Sequence, residues 1–235
     1  MKLLCFSYAG GTAGFFERWN NYTRSTMQII PIELPGRGLR FTEELCDNMS
    51  ELVDILYDLI VDEIAEDDYM FYGHSMGAWV AYYLTVKIAK ENRRLPQYLF
   101  LSGKEAPYLN KEKNNYHKLP DREFLNKIYE LGGTPEELLS NQELQDIFIP
   151  IIRNDYQLIE TCDTTSSMQK LDAKIVIFHG LEDDLYEEDL DGWQSYTNRK
   201  IEKHYFSGGH FFIHKEGRQI VYLIEQVTRL DGIKN

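Results

Sequence analysis

Tyr72 to Ala78 reads YGHSMGA, a serine with a glycine two residues away on either side, and the fold turns on whether that serine is a nucleophile. The pattern GxSxG by itself arises by chance in many proteins. Its surroundings carry the argument. The run YMFYG (Tyr69 to Gly73) precedes the serine and AWVAYYLTVKIAK (Ala78 to Lys90) follows it, which is the order strand, sharp turn, helix that a nucleophile elbow requires. Gly73 and Gly77 fit because so tight a turn leaves no room for side chains beside the nucleophile. The start of the following helix helps stabilise negative charge near Ser75.

Working outward, five further short apolar runs have the β-branched and aromatic character of strands: Leu3 to Tyr8, Gln28 to Leu34, Tyr98 to Gly103, Lys174 to Gly180 and Lys203 to Gly209. They lack polar alternation, as strands buried on both faces do. Helical patterns lie between several of them. In Asn48 to Ile64 the residues Leu52, Val53, Ile55, Leu56, Leu59, Ile60 and Ile64 recur at helical spacing, with Asn48 and Glu51 as an N-terminal cap. Ala78 to Lys90 and Gly217 to Arg229 also read as helices. Alternating strands and helices predict an α/β protein with a mostly parallel central sheet flanked by helices.

The rhythm breaks between about 105 and 167, where the text is charged, helical and without a core strand. Gly132, Gly133, Pro135 and Pro150 divide it into what reads as several short helices packed over the sheet edge. Such an insertion can act as a lid as well as a stabilising cap. The expectation is a single domain over 1–235 carrying a lid insertion at about 105–167.

A serine hydroxyl is a weak nucleophile at neutral pH and needs a base, which in turn needs an orienting carboxylate. In this fold the order along the chain is serine, acid, histidine, each on a loop at the C-terminal end of a strand. Of six histidines, His210 follows Gly208 and Gly209 directly after a strand, where a loop can swing an imidazole to Ser75. His74 sits inside the elbow with its side chain diverging from the serine and suits a support role. His117, His179 and His204 read as packed or surface residues. His214 stands four residues beyond His210 but has no acidic third ligand at metal spacing. For the acid, Glu182, Asp183 and Asp184 are consecutive; Asp183 stands at the usual offset after the strand, and Asp184 is the alternative. The oxyanion would be met by the backbone N–H of Met76 and by that of Ala9 in the loop YAGGTAG.

Bulk properties narrow the field. The 235 residues are 43% hydrophobic, enough for one sizeable core. A net charge of -13 repels phosphate backbones and anionic lipid, which argues against nucleic acid as a partner. No stretch approaches the roughly 18 to 20 apolar residues of a membrane span. The opening MKLLCFSYAGG is too short in its apolar part, and too soon in a glycine loop, to read as a signal peptide. Three scattered cysteines, Cys5, Cys46 and Cys162, fit buried free thiols in a reducing cytosol.

Several stretches together resemble one family. CFSYAGGTAGFFERW (Cys5 to Trp19), LPGRGLR (Leu34 to Arg40), the elbow GHSMGA, LPDREFLNKIYELGGTPEELL (Leu119 to Leu139), IRNDYQLIE (Ile152 to Glu160), and the tail segments GLEDD, GW and FSGGHFFI are similar to the type II thioesterases that accompany nonribosomal peptide and polyketide synthases. The resemblance implies an α/β-hydrolase fold and a stand-alone cytoplasmic enzyme, expected as a monomer. Such an enzyme strips aberrant or stalled acyl groups from the phosphopantetheine arm of acyl or peptidyl carrier domains. It implies a triad of Ser75, Asp183 and His210, an oxyanion hole at Ala9 and Met76, and no metal or redox cofactor. Ser7 departs from the family, which often has proline there. Phe124, Tyr129, Ile147, Phe148 and Tyr156 are candidates to line a substrate channel. Lys87, Lys90, Arg93, Arg94, Lys104, Lys111 and Lys113 are candidates to dock the carrier. Two other readings stay open: an esterase or lipase acting on free esters, and a hydrolase-like binding protein with a silent triad.

Overall fold

The computed structural model describes residues 1–24, 27–109, 114–164 and 169–232. Six strands form one sheet: β1 (Lys2–Phe6), β2 (Gln28–Ile32), β3 (Tyr69–His74), β4 (Tyr98–Ser102), β5 (Lys174–Gly180) and β6 (Glu202–Phe206). They lie in the order β2-β1-β3-β4-β5-β6 and every neighbouring pair is parallel. All six expected runs are strands, several a residue or two shorter than read. Ser7 and Tyr8 leave the ladder after Phe6 to begin a loop.

Eight α-helices accompany the sheet: α1 (Gly14–Glu17), α2 (Met49–Ile60), α3 (Met76–Lys90), α4 (Asp121–Glu130), α5 (Glu137–Ser140), α6 (Gln142–Thr161), α7 (Glu187–Asp191) and α8 (Ile213–Gly232), counted among the described residues. Side chains alternate across the strands with period two. Leu4, Phe6, Phe71, Leu99 and Ile175 pack with α2 and α3 on one face. Leu3, Cys5, Met70, Phe100 and Val176 pack with Phe16 and with Ile220 and Ile224 of α8 on the other. Both faces are dry, so the central strands show no polar alternation. At one edge, β2 accommodates Pro31, which a central strand would exclude. The three cysteines are buried and unbridged.

Two details depart from expectation. In α2 the Asn48 side chain accepts the Glu51 N–H at 3.0 Å, as read, but Leu59 is 49% exposed, because it sits at the margin of the apolar stripe centred on Leu56 and Ile60. Pro150 does not end a helix: α6 runs through it for 20 residues. A proline ring costs an interior helix one hydrogen bond, and here flanking Ile149, Ile151 and Ile152, all buried, compensate by packing.

The region between β4 and β5 holds α4, α5 and α6 and is built around its own apolar cluster of Phe124, Leu125, Ile128, Leu138, Ile149 and Ile152. Helix α6 reaches across to the loops that follow β1 and β2, at the C-terminal end of the sheet, through Asp155.

Candidate active site

Ser75 is the single residue between the last residue of β3 and the first of α3. Its backbone has φ 53 and ψ -119, a region that side-chain-bearing residues occupy at a cost of about 1 to 3 kcal/mol. The surroundings hold it there. Its N–H donates to the Ser102 carbonyl at 2.8 Å, and its carbonyl accepts the Ala78 N–H at 2.9 Å. A Cβ on Gly73 would overlap the Gly77 carbonyl, and one on Gly77 would overlap that of Phe6. Both glycines are therefore required by close approach of backbone, as the sequence suggested. Helix α3 is buried along nearly its whole length.

The loops that carry Asp183 and His210 are tied to each other before their side chains meet. Leu181 N–H donates to Phe206 O at 2.9 Å, Glu182 N–H to Gly208 O at 3.0 Å, and Asp183 N–H to Gly180 O at 3.0 Å. On this frame His210 Nδ1 lies 3.0 Å from Asp183 Oδ2. Asp183 keeps only 7% of its side chain exposed, and its other oxygen accepts the Asp184 N–H at 2.9 Å. Asp184 is exposed and holds no histidine. The turn thus brings His210 to Asp183 rather than to its neighbour.

The imidazole of His210 sits beside the elbow. Its ring centre is 5.1 Å from that of His74, and a Cβ on Gly103, next to Ser102, would stand 3.5 Å from His210 Cε1. Among the described residues no hydrogen bond joins the Ser75 hydroxyl to this ring. Such contacts commonly tighten only when substrate is bound. Ala9, Ser75, Asp183 and His210 all line one cavity of about 750 Å³. The Ala9 and Met76 amides donate to no protein acceptor among the described residues; Met76 opens helix α3, with its side chain buried.

The other histidines are occupied elsewhere. His74 Nδ1 is 2.9 Å from Ser102 Oγ, and complete burial, with His210 and His214 nearby, holds its pKa well below the usual value. It is a neutral structural imidazole. His214 Nε2 meets Tyr8 Oη at 3.2 Å, and among the described residues no group of three or more His, Cys, Asp or Glu side chains is arranged to hold a metal ion. His204 pairs with Glu202 at 2.7 Å, and His117 with Glu160. Burial lowers the pKa of His179.

Much of the cavity wall comes from the insertion, including Ile128, Leu144, Phe148, Ile152 and Tyr156. Burial pushes the Tyr156 phenol up to about 12, so it stays neutral. Phe148 and Tyr156 are where the sequence put them. Phe124, by contrast, is wholly buried in the insertion's own cluster, while Tyr129 and Ile147 are 42% and 44% exposed and do not line the cavity. Helical periodicity alone does not say which apolar face meets a cavity and which meets a neighbouring helix. Of the basic candidates, Lys87 pairs with Asp54 and Glu91, Arg94 with Asp68, and Lys104 with Glu105. Lys90 and Arg93 are exposed; Lys111 and Lys113 lie outside the described residues.

Sequence reasoning missed three contributors. Tyr8 packs edge-on against His74 and Phe211 at the cavity wall. Ser102 anchors both the elbow amide and His74. The pair Arg37 and Asp155 joins the loop after β2 to α6. Only the arginine in PGRG offered a signal, as an unassigned charge in an apolar, glycine-rich turn.

The model of the thioesterase domain family matches residues 1–229. Linear gramicidin dehydrogenase LgrE of Brevibacillus parabrevis is 31% identical over 231 residues, covering 97% of this chain and 87% of that protein. Gramicidin S biosynthesis protein GrsT of Aneurinibacillus migulanus is 29% identical over 231 residues, covering 98% and 90%. Among solved structures, ClbQ from the colibactin NRPS/PKS pathway is similar with a TM-score of 0.94 and 34% identity, covering 100% of this chain and 99% of that one. The architecture is that of the α/β-hydrolase fold.

Proposed function

Because the chain belongs to the thioesterase family, a family of thioester hydrolases, we propose that it is a stand-alone editing enzyme of nonribosomal peptide or polyketide synthesis. It hydrolyses aberrant or stalled acyl thioesters on the phosphopantetheine arm of carrier domains. The observation that carries this reading is the Asp183 and His210 pair, at 3.0 Å, sharing one cavity with a strained serine. Relatives named for gramicidin S biosynthesis and the colibactin pathway support the pathway class. The dehydrogenase in one relative's name is not carried over, since serine, imidazole and carboxylate are the parts of acyl transfer.

His210 takes the Ser75 proton as the hydroxyl attacks the thioester carbonyl, and Asp183 holds the imidazole in the tautomer that accepts it. The Ala9 and Met76 amides receive the oxyanion. The tetrahedral intermediate collapses, the C–S bond breaks, and the thiol leaves with the proton from His210. Water then attacks the acyl-serine through the same base and releases the acid. The insertion acts as a lid, with Phe148 and Tyr156 beside the acyl group.

The test is mass spectrometry of carrier domains loaded with different acyl groups, incubated with wild type or Ser75→Ala. Wild type should restore the free phosphopantetheine thiol and the variant should not. A wild type that cleaves soluble esters yet strips no carrier makes the protein an esterase. One that cleaves neither, and takes no fluorophosphonate label at Ser75, makes it a binding protein.

A further inference from the structure

Arg37 and Asp155 form the most deeply buried ion pair among the described residues, with side chains 4% and 0% exposed. Arg37 Nη1 donates to Asp155 Oδ2 at 2.6 Å and Nη2 to Oδ1 at 2.7 Å. The fork is bidentate, the geometry that makes such pairs directional. Burying two charges is expensive, and well-packed apolar residues often serve stability as well or better. Here Arg37 Nε is also left without a partner among the described residues. Stability alone therefore gives a weak account of the pair.

What the carboxylate touches gives a better one. Asp155 Oδ2 also accepts the Gly10 N–H at 2.7 Å, and Arg37 Nη1 reaches the Gly11 carbonyl at 3.4 Å. Three segments distant in the chain, the loop after β1, the loop after β2 and helix α6, meet at one carboxylate. One turn earlier on α6, Ile152 closes on the same glycine: a Cβ on Gly10 would stand 2.7 Å from Ile152 Cγ1. Gly10 has φ +76 and no Cβ, so the Ala9–Gly10 peptide, which adjoins through the Ala9 Cα the peptide that carries the Ala9 N–H, is free to turn on its Gly10 side. Its hydrogen bond to Asp155 and its contact with Ile152 supply the restraint, and both come from the insertion.

We propose that Asp155, oriented by Arg37, is a positioning residue for hydrolysis: by holding the Ala9–Gly10 peptide it fixes, through the Ala9 Cα, the direction of the adjoining Ala9 N–H toward the developing oxyanion only while α6 is docked, so that covering the acyl chain and becoming competent for chemistry are one event. This rests on the assignment of Ala9 and Ser75 made above. An acyl group held in an open site would be bound but not hydrolysed.

The double variant Arg37→Met/Asp155→Leu removes both charges while conserving bulk, a replacement that ordinarily leaves a fold intact. With a soluble acyl thioester, kcat should fall at least about tenfold and by up to the roughly hundred- to thousandfold that losing an oxyanion donor outright costs, with KM within about threefold. A boronic acid that forms a tetrahedral adduct on Ser75 should lose affinity by a similar factor, since transition-state analogues report the same contacts. A merely structural role would instead lower the thermal midpoint and the fraction of titratable sites, leaving kcat per active site and boronate affinity unchanged; that result overturns the proposal. A second measurement needs no variant. By linkage the boronate adduct must favour the docked state, so hydrogen exchange at Gly10 and along 149–160 in wild type should slow when it binds. Unaltered exchange there refutes the coupling. Failure to strip carriers while esters are cleaved would remove the carrier reading and leave this test intact, because the ester reaction needs the same hole.

Discussion

The elbow and the insertion are built on opposite principles. Around Ser75, β3 and α3 are buried on nearly every side, and backbone touches backbone so closely that neither Gly73 nor Gly77 can carry a side chain. The insertion has a separate core of its own. It is joined to the rest by Ala106, Leu158 and Cys162 in the main core, by Ile152 against Gly10, and by polar bonds that include Asp155 to Arg37 and Gly10, Trp79 Nε1 to Glu105 O at 2.9 Å, Tyr108 N–H to Tyr196 Oη at 3.0 Å, Asn154 Nδ2 to Cys46 O at 2.8 Å, and Gln157 Nε2 to Asp47 O at 3.2 Å. A nucleophile must be held to a fraction of an ångström, and dense packing supplies that. A cavity wall with its own core is a unit that can open locally without unfolding the rest.

The sharpest way to break this contrast is at the elbow. Replacing Ser75 with alanine or glycine should abolish turnover by about 10^4-fold or more. The two variants should differ in stability, because glycine relieves a backbone at φ 53 that alanine cannot. Thermal melts should place Ser75→Gly above Ser75→Ala by about 1 kcal/mol, the gain being partly offset by the greater freedom of unfolded glycine. Equal melts would mean that no strain is stored there.

At the insertion the expected effect is smaller and of another kind. Phe148→Ala enlarges the acyl wall, so KM for the preferred chain should rise about tenfold, the scale on which apolar pockets discriminate, with chain preference moving toward longer groups. Kinetics over a series of acyl thioesters of increasing length would show it. A fall in kcat at constant KM would instead tie Phe148 to the chemistry and blur the two regions.

The smallest effect belongs to His74, whose folded pKa lies well below its ordinary 6.5 because burial disfavours the charged ring. The unfolded chain takes up a proton near 6.5 that the folded one refuses, so this contribution is complete above that pH and is lost as pH falls below it. The slope is at most about 1.4 kcal/mol per pH unit for one proton. Denaturant melts of His74→Gln should therefore show a shallower decline than wild type between pH 6.5 and 5. Some decline remains from His179 and His214, whose pKa values burial also lowers. Identical slopes would show that His74 is charged or solvated in the fold, and that the elbow is looser than described.

Much of this was legible beforehand. The six strands announce themselves because both faces of the sheet are dry, and the elbow because its parts are consecutive residues. His210 is legible as a histidine behind two glycines at a strand's end. The misreadings share one cause: Pro150, Leu59, Phe124 and Ile147 each obey a local rule that the packing around them overrides or redirects. Arg37 and Asp155, 118 positions apart, leave no local pattern at all, and neither do Tyr8 and His214, 206 apart.

From sequence alone came the fold class, the sharp strand-to-helix turn at Ser75 and the helical character of 105–167, since each depends on hydrophobic periodicity or on neighbours along the chain. Only the folded molecule decided that His210 meets Asp183 and not Asp184, which of the insertion's aromatic residues face the cavity, and that a buried carboxylate on α6 holds the loop beside Ala9. Those choices depend on side-chain direction and on contacts between segments far apart in sequence, and no one-dimensional spacing contains them.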